Sequence, residues 1–281
     1  MIDMLTRTQL KGIFAERGFT PLKRLGANYL IDGNIKDKVI AEAAAAKGDT
    51  VLEIGPGLGA LTMDLAASGA EVYAVEIDKK AFALLKEMAA DRFPKLKLFH
   101  EDILKFDLSK IPAQNKIKVV GNLPYYITTP IIELLIQNRH LVRFALIMVQ
   151  REVANRLMAS PGTKDCSSIS CFIQYYTKPH YIYTIKPTAF YPSPDVDSSL
   201  IRLDMRDKPP VDVRDEKLFF RIIRSSFNQR RKSIINSLSR EASLNIPKDE
   251  LSRVLENIGI DPASRPESLS LAEFAKIANS M

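Results

Sequence analysis

The stretch VLEIGPGLGALT, residues 51–62, constrains this chain more than any other. A short apolar run ends at Gly55, and helical spacing begins a few residues later. Glycines at such a junction let the backbone turn sharply and approach a ligand with no side chain in the way. Around this junction the chain repeats one alternation. DTVLEIG, EVYAVEID, LKLFHED, KIKVVGN and FALIMVQ read as strands. GALTMDLAASG, KKAFALLKEMAAD, TPIIELLIQ and REVANRLMA carry helical spacing. Strands alternating with helices imply right-handed crossovers, so the expectation is an α/β fold with a Rossmann-like, mostly parallel sheet. YIYTIKP and SSLIRLDM, with no helical pattern between them, read as an antiparallel pair at the sheet edge.

RDKPPVDVRDE then behaves as a linker, and residues 216–281 are helical in pattern, with Phe220, Ile223, Phe227, Ile234 and Leu238 at roughly helical spacing. The expected division is a sheet domain over 1–207 and a small α-helical domain over 208–281. A hydrophobic content of 46% is enough for a sizeable core. The start of the chain is charged and amphipathic, which reads as no signal peptide, and no apolar run is long enough to cross a bilayer. Cys166 and Cys171 lack zinc-ligand or redox spacing, which suggests reduced thiols and a cytoplasmic location. His100, His140 and His180 share no ligand or triad spacing, so no metal is expected.

The net charge of +7 favours an anionic partner. Its distribution says more. Seven basic residues and no acidic one lie between Lys217 and Arg240, an excess equal to that of the whole chain. A solvated helix face normally mixes both signs, so Arg221, Arg224, Arg230, Arg231 and Lys232 are candidates for contacting RNA phosphates.

The cofactor is legible in the glycine loop. Glu76 ends the second strand, 21 residues after Gly55, where a carboxylate can accept hydrogen bonds from ribose hydroxyls. The loop is G-x-G-x-G rather than the dinucleotide G-x-G-x-x-G, and Glu53 stands two residues before Gly55. A carboxylate there repels a pyrophosphate and favours a ligand carrying a sulfonium and an ammonium, as S-adenosylmethionine does. Asp102 ends the third strand and can accept from an adenine amino group. Gly55, Glu76, Asp102 and Asn122 should converge beyond the carboxyl ends of the strands.

The fourth strand ends in Asn122-Leu123-Pro124-Tyr125. An exocyclic aromatic amine is a poor nucleophile because its lone pair is delocalised into the ring. Acceptors on its N–H groups draw it toward tetrahedral geometry, and the Asn122 side-chain oxygen and a carbonyl at Leu123 can supply them. Pro124 holds the turn, and Tyr125 offers a face on which a flipped base stacks. This is catalysis by positioning and charge stabilisation, with no strong base.

With these residues in view, KRLGANYLID, LEIGPGLGALT, GNLPYYITTPI, MVQREVANRL and AFYPSPDVDSSLIRL resemble the blocks of the ribosomal RNA adenine N6-dimethyltransferase family, over nearly the whole chain. The resemblance implies transfer of methyl groups from S-adenosylmethionine to two adjacent adenines near the 3′ end of 16S rRNA, during small-subunit maturation. It makes residues 1–207 the cofactor-binding catalytic domain, with a capping segment over about 1–30, and residues 208–281 the RNA-recognition domain. It implies that Asn28, Leu30, Gly55, Glu76, Asp102 and Asn122 contact the cofactor, with Gly57, Ile77 and Ile103 beside them. It also implies that Asn122, Leu123, Pro124 and Tyr125 hold the adenine and that Phe190 packs on its other side. The expected partner is 16S rRNA within an immature 30S subunit, and the expected state is a monomer without metal or membrane contact. A 23S rRNA adenine methyltransferase and an RNA-binding assembly factor with dispensable chemistry stand as alternatives. The family usually carries Gln at Ala27, Phe at Tyr29 and Lys at Asp195.

Overall fold

The computed structural model describes residues 6–18, 28–89, 92–229, 232–241, 244 and 246–281. The chain divides into two units: Met1–Ala154 with His180–Met205, and Asn155–Pro179 with Arg206–Met281.

Among the described residues the first unit is built on β1 (Tyr29–Leu30), β2 (Thr50–Ile54), β3 (Glu71–Glu76), β4 (Leu96–His100), β5 (Ile117–Asn122), β6 (Val142–Gln150), most of β7 (Thr177–Ile185), β8 (Phe190–Tyr191) and β9 (Ser198–Met205). Its helices are α1 (Arg7–Glu16), α2 (Gly33–Ala43), α3 (Thr62–Ala67), α4 (Lys79–Ala89), α5 (Thr128–Gln137) and the start of α6 (Arg151–Leu157). The larger sheet has the order β4-β3-β2-β5-β6-β9-β7. Strands β4 to β6 are parallel, and β9 runs antiparallel to β6. Val51, Leu52, Val119, Val120, Leu146 and Ile147 are fully buried, as expected of strands covered by helices on both faces. The edge pair β9 and β7 follows β6, as the helix-free pattern after Pro179 indicated.

Strand order reverses between β2 and β5. From β2 the chain builds outward through β3 and β4, then returns to lay β5 on the other side. Such a switch point leaves a crevice beyond the carboxyl ends of the strands, where ligands of open parallel sheets bind. One buried cation anchors the opposite end of β5. Lys118 Nζ donates to the Ala44 carbonyl at 2.6 Å and to Asp49 Oδ2 at 2.7 Å. Those two acceptors satisfy an ammonium that burial alone would make costly.

A second, two-stranded sheet pairs β1 with β8, Tyr29 opposite Tyr191 and Leu30 opposite Phe190. This pairing sets the surroundings of Phe190. The resemblance set this ring against the target base. The strand register instead turns Phe190 inward, 1% exposed, into a core cluster with Leu30, Met148 and Leu200. Its neighbour Tyr191 is the outward aromatic, stacked on Phe14 of α1 and lying beneath the Arg7 guanidinium.

The second unit contains α7 (Ser168–Tyr176), α8 (Glu216–Phe227), α9 (Ile234–Leu238), α10 (Lys248–Asn257) and α11 (Leu271–Asn279). A single cut at 207/208 is therefore a simplification, because α7 belongs with the helices that follow. The physical reason is an aromatic cluster that brings together distant parts of the chain. Tyr175 lies 5.2 Å from Phe219 and 5.0 Å from Phe220, and Phe172 lies 5.5 Å from Phe220. Glu216 accepts hydrogen bonds from both Tyr175 and Tyr176 hydroxyls. SISCFIQYY has strong apolar content but weak helix formers, so nothing local announces α7. Cys166 and Cys171 are buried in this unit and form no disulfide. Among the described residues no helix is long and apolar enough to cross a membrane, and no cluster of metal-ligating side chains occurs.

Candidate active site

The switch point opens into a cavity lined by the ends of β2, β3 and β5 and by the segments that follow them. Gly55 begins the first of these, its N–H donating to the Val75 carbonyl of β3 at 3.0 Å. Gly57 sits at φ +57°, and a Cβ on it would lie 3.0 Å from the Tyr29 ring. Only glycine accepts both the left-handed backbone and that close ring at no cost. Gly121 is similarly tight: a Cβ there would stand 3.0 Å from the Ile54 carbonyl oxygen.

Glu76 closes β3 as a connector. One carboxylate oxygen accepts from the Gly57 N–H at 2.9 Å, the other from the Asp78 N–H at 2.8 Å. Burial pushes its pKa above the ordinary carboxylate range, and those N–H donors pull the other way. Each oxygen has lone-pair capacity for more than one donor. Asp102 accepts from the Leu104 N–H at 3.0 Å, which fixes the turn after β4. Ile77 and Ile103 flank these acids on the cavity wall, Ile77 being 42% exposed, an apolar surface without cover.

Glu53 is a buried carboxyl of the site. It stands on β2, lines the cavity, and its Oε2 has no hydrogen-bond partner among the described residues. Burial drives its pKa up to about 8, with the nearby Glu76 charge adding to the rise. Thr62 lies close enough to oppose the rise by more than Glu76 adds to it, yet its own hydroxyl is outside hydrogen-bonding geometry. Among the described residues the cavity wall carries Glu53, Asp64, Glu76, Asp78, Glu101 and Asp102 against the single cation Arg92. Such a wall suits a ligand with positive charge and hydroxyls, and repels a pyrophosphate.

At the rim, the Asn122 amide donates through Nδ2 to the Asn28 carbonyl at 2.7 Å. A carbonyl can only accept, so this bond fixes which way the amide faces. Its Oδ1 accepts nothing among the described residues. The Leu123 N–H is held by the Met148 carbonyl at 3.1 Å. The Pro124 carbonyl is taken up by the Ile127 N–H and the Thr128 hydroxyl, both at 3.2 Å. The Leu123 carbonyl accepts no hydrogen bond among the described residues. Tyr125 lines the cavity, with its hydroxyl 2.8 Å from Ser198 Oγ, and burial raises its pKa. The following Tyr126 is 54% exposed.

Thus Asn28, Leu30, Gly55, Gly57, Glu76, Ile77, Asp102, Ile103, Asn122, Leu123, Pro124 and Tyr125 line one cavity, and Phe190 does not. The spacing arguments passed over Leu10 of α1, Tyr29 and Asp78, which also line it. Leu10 is the one buried residue of α1, a helix capped at Thr6. On α8, Lys217, Arg221 and Arg224 share the exposed side, opposite buried Phe219, Ile222 and Ile223. Lys232 is exposed, while Arg230 and Arg231 lie outside the described residues.

Sheet order and acid-walled cavity together assign the chain to the Rossmann-like S-adenosylmethionine-dependent methyltransferases. Comparison with known proteins narrows this. The sequence profile of the ribosomal RNA adenine dimethylase family matches residues 18–281. The ribosomal RNA small subunit methyltransferase A of Geobacillus thermodenitrificans is 43% identical over 99% of this chain and 97% of its own length. A dimethyladenosine transferase of Plasmodium falciparum superposes with a TM-score of 0.78 at 26% identity, covering 89% of this chain and 95% of that one. The 23S rRNA methyltransferase ErmE shares the fold, with a TM-score of 0.72 at 22% identity over 90% of this chain and 99% of its own. The chain belongs to the ribosomal RNA adenine dimethylase family. It is an rRNA adenine methyltransferase, and its methyl donor is S-adenosylmethionine.

Proposed function

We propose that this enzyme dimethylates the N6 amino groups of two adjacent adenines near the 3′ end of 16S rRNA, acting as a cytoplasmic, metal-free monomer on an immature 30S subunit. The small-subunit choice rests on the full-length relatives named small subunit methyltransferase A. The observation that carries the chemistry is the Asn122 amide, tethered at Nδ2 to Asn28 with its oxygen left over at the cavity rim.

The bound donor supplies an electrophilic methyl on a sulfonium. The residues do the rest by position. Glu76 holds the ribose hydroxyls, Asp102 the adenine amine, and Ile77 and Ile103 the faces of that ring. Gly55 and Gly57 keep the loop thin, while Asn28 and Leu30 cap the cavity. Asn122 Oδ1 and the Leu123 carbonyl accept the two N6 hydrogens of the target base in the first transfer and the one that remains in the second, each displaced proton passing to water, and Pro124 keeps the acceptors convergent. Tyr125 stacks on the base. Phe190, buried with Leu200 and Met148, enters this reading as packing behind the site rather than as an open stacking face. The test is a map of dimethyladenosine on ribosomal RNA from cells with and without the gene. Loss of the mark from 23S rRNA alone, or from neither RNA, would reverse the proposal.

RNA is met by Arg221, Arg224, Arg230, Arg231 and Lys232 in this reading. Replacing Arg221, Arg224 and Lys232 together by glutamine is expected to reduce the slope of log affinity against log salt by about 2, at roughly 0.7–0.9 for each phosphate no longer neutralised. A filter-binding titration across salt concentrations reads this directly, and an unchanged slope would exclude the α8 face.

Glu53 sets a pH dependence. Its pKa in the folded protein, about 8, lies above the ordinary 4.5, so folding favours the protonated form. This contribution to stability is complete below pH 4.5 and is lost as pH rises through 8. A cationic donor favours the carboxylate, so binding near pH 7 expels a proton. Donor affinity is therefore expected to rise between pH 6 and 8, by at most about tenfold per pH unit. Calorimetry in buffers of different ionisation enthalpy checks it, and Glu53→Gln should flatten the dependence.

A further inference from the structure

We propose that Ser198 is a positioning residue for methyl transfer, fixing the ring of Tyr125 through a hydrogen bond so that one face is held ready for the target base. The inference rests on the proposed role of Tyr125 as the stacking surface.

The fold delivers Ser198 to this place. Because β9 runs antiparallel to β6, its first residue, Ser198, lies opposite Gln150, the last of β6. The neighbouring β5 ends at Asn122, paired with Met148 of β6. The start of β9 thus reaches the same sheet edge as the Asn122–Tyr125 turn. Ser198 is 1% exposed, and its Oγ lies 2.8 Å from the Tyr125 hydroxyl. Its backbone is held from the preceding residue as well. The Asp197 carbonyl accepts the Arg151 N–H at 3.0 Å. The Asp197 carboxylate holds Lys186 at 2.9 Å and Arg151 at 3.4 Å, and the Lys186 bond keeps its pKa below the ordinary range.

A tyrosine ring tied only at Cβ can pivot about two side-chain torsions. A hydrogen bond at the far end pins the hydroxyl oxygen and so stops the swing about the first torsion; the oxygen lies on the axis of the second, where the preference of a phenol O–H for the ring plane favours one tilt and leaves the faces clear. Base stacking needs a face presented at a fixed tilt, and misplacement at the reacting centre is costly in rate. A buried serine with its hydroxyl on a tyrosine at the cavity rim meets that need. Ser198 touches no reacting atom, so its effect must pass through Tyr125.

The test is a double-mutant cycle on an RNA fragment with labelled donor, reading kcat, the KM values for donor and RNA, and thermal stability. Ser198→Ala and Tyr125→Phe are each expected to lower kcat roughly 2- to 10-fold, the range of one neutral hydrogen bond, with the donor KM unchanged. The double variant should be no slower than the slower single one. If Ser198→Ala slows the Tyr125→Phe enzyme as much as it slows the parent, or leaves the parent unaffected, the proposal fails. Should Ser198→Ala not fold, Tyr125→Phe decides, and turnover at the parental rate would overturn the assignment. Tyr125→Ala separates the two readings. An active Tyr125→Ala enzyme removes the stacking role itself, whereas an inactive one beside additive single variants removes only Ser198.

Discussion

Replacing Asn122 by alanine is expected to lower kcat by about 100- to 1000-fold, the usual cost of one preorganised acceptor at a reacting centre. RNA affinity should stay within about twofold, because no phosphate contact is assigned to this residue. The structure adds a second consequence. The Asn122 Nδ2 bond to the Asn28 carbonyl ties the Asn122–Tyr125 turn to the segment that enters β1. Its loss should loosen donor binding by a few-fold, roughly the worth of one hydrogen bond. Asn122→Asp separates the two jobs. It keeps an acceptor of equal reach but sets a carboxylate against the Asn28 carbonyl, 2.7 Å away in the parent. That variant should retain more turnover than alanine and bind donor more weakly. Single-turnover methylation with calorimetric donor titration measures both, and parental turnover in Asn122→Ala would end the assigned role.

The second large effect belongs to Glu76. Alanine there removes the acceptor of the Gly57 and Asp78 N–H groups together with the proposed ribose contacts. Hydrogen bonds to a charged group are worth about 1.5–3 kcal/mol each, so donor affinity should fall about 100-fold or more. Glutamine is expected to be nearly as damaging. It has one acceptor oxygen where the native side chain uses two, so its NH₂ must face either the Gly57 or the Asp78 N–H. Calorimetry with S-adenosylmethionine is the measurement, and a dissociation constant within threefold of the parent for either variant would contradict the assignment.

Much of this is legible along the chain because the signals are local. Glycines at positive φ in 55–59, a carboxylate closing β3 and an amide closing β5 each declare themselves by residue type and spacing. A parallel sheet then converts sequence order into place, since every strand presents its carboxyl end to the same edge. That rule is why Gly55, Glu76, Asp102 and Asn122, scattered over 68 positions, line one cavity. It carries no information about chain segments that join the sheet sideways. The inward turn of Phe190 is hidden from the sequence because its prolines are local and its partner strand, 160 residues earlier at Leu30, is not. The helix α7 is hidden for the same reason, its stability coming from Phe219, Phe220 and Glu216 in α8.

By itself the sequence determined the fold class, the strand ends that line the cavity and the acceptors those ends own. These depend on periodicity, on glycine's backbone freedom and on the number of acceptors a side chain owns. Only the tertiary structure decided which way Asn122 faces, which of Tyr125 and Tyr126 borders the cavity, and that Glu53 is buried without a partner for one oxygen. Orientation and desolvation are properties of neighbours in space, and those neighbours lie tens to more than a hundred residues away along the chain.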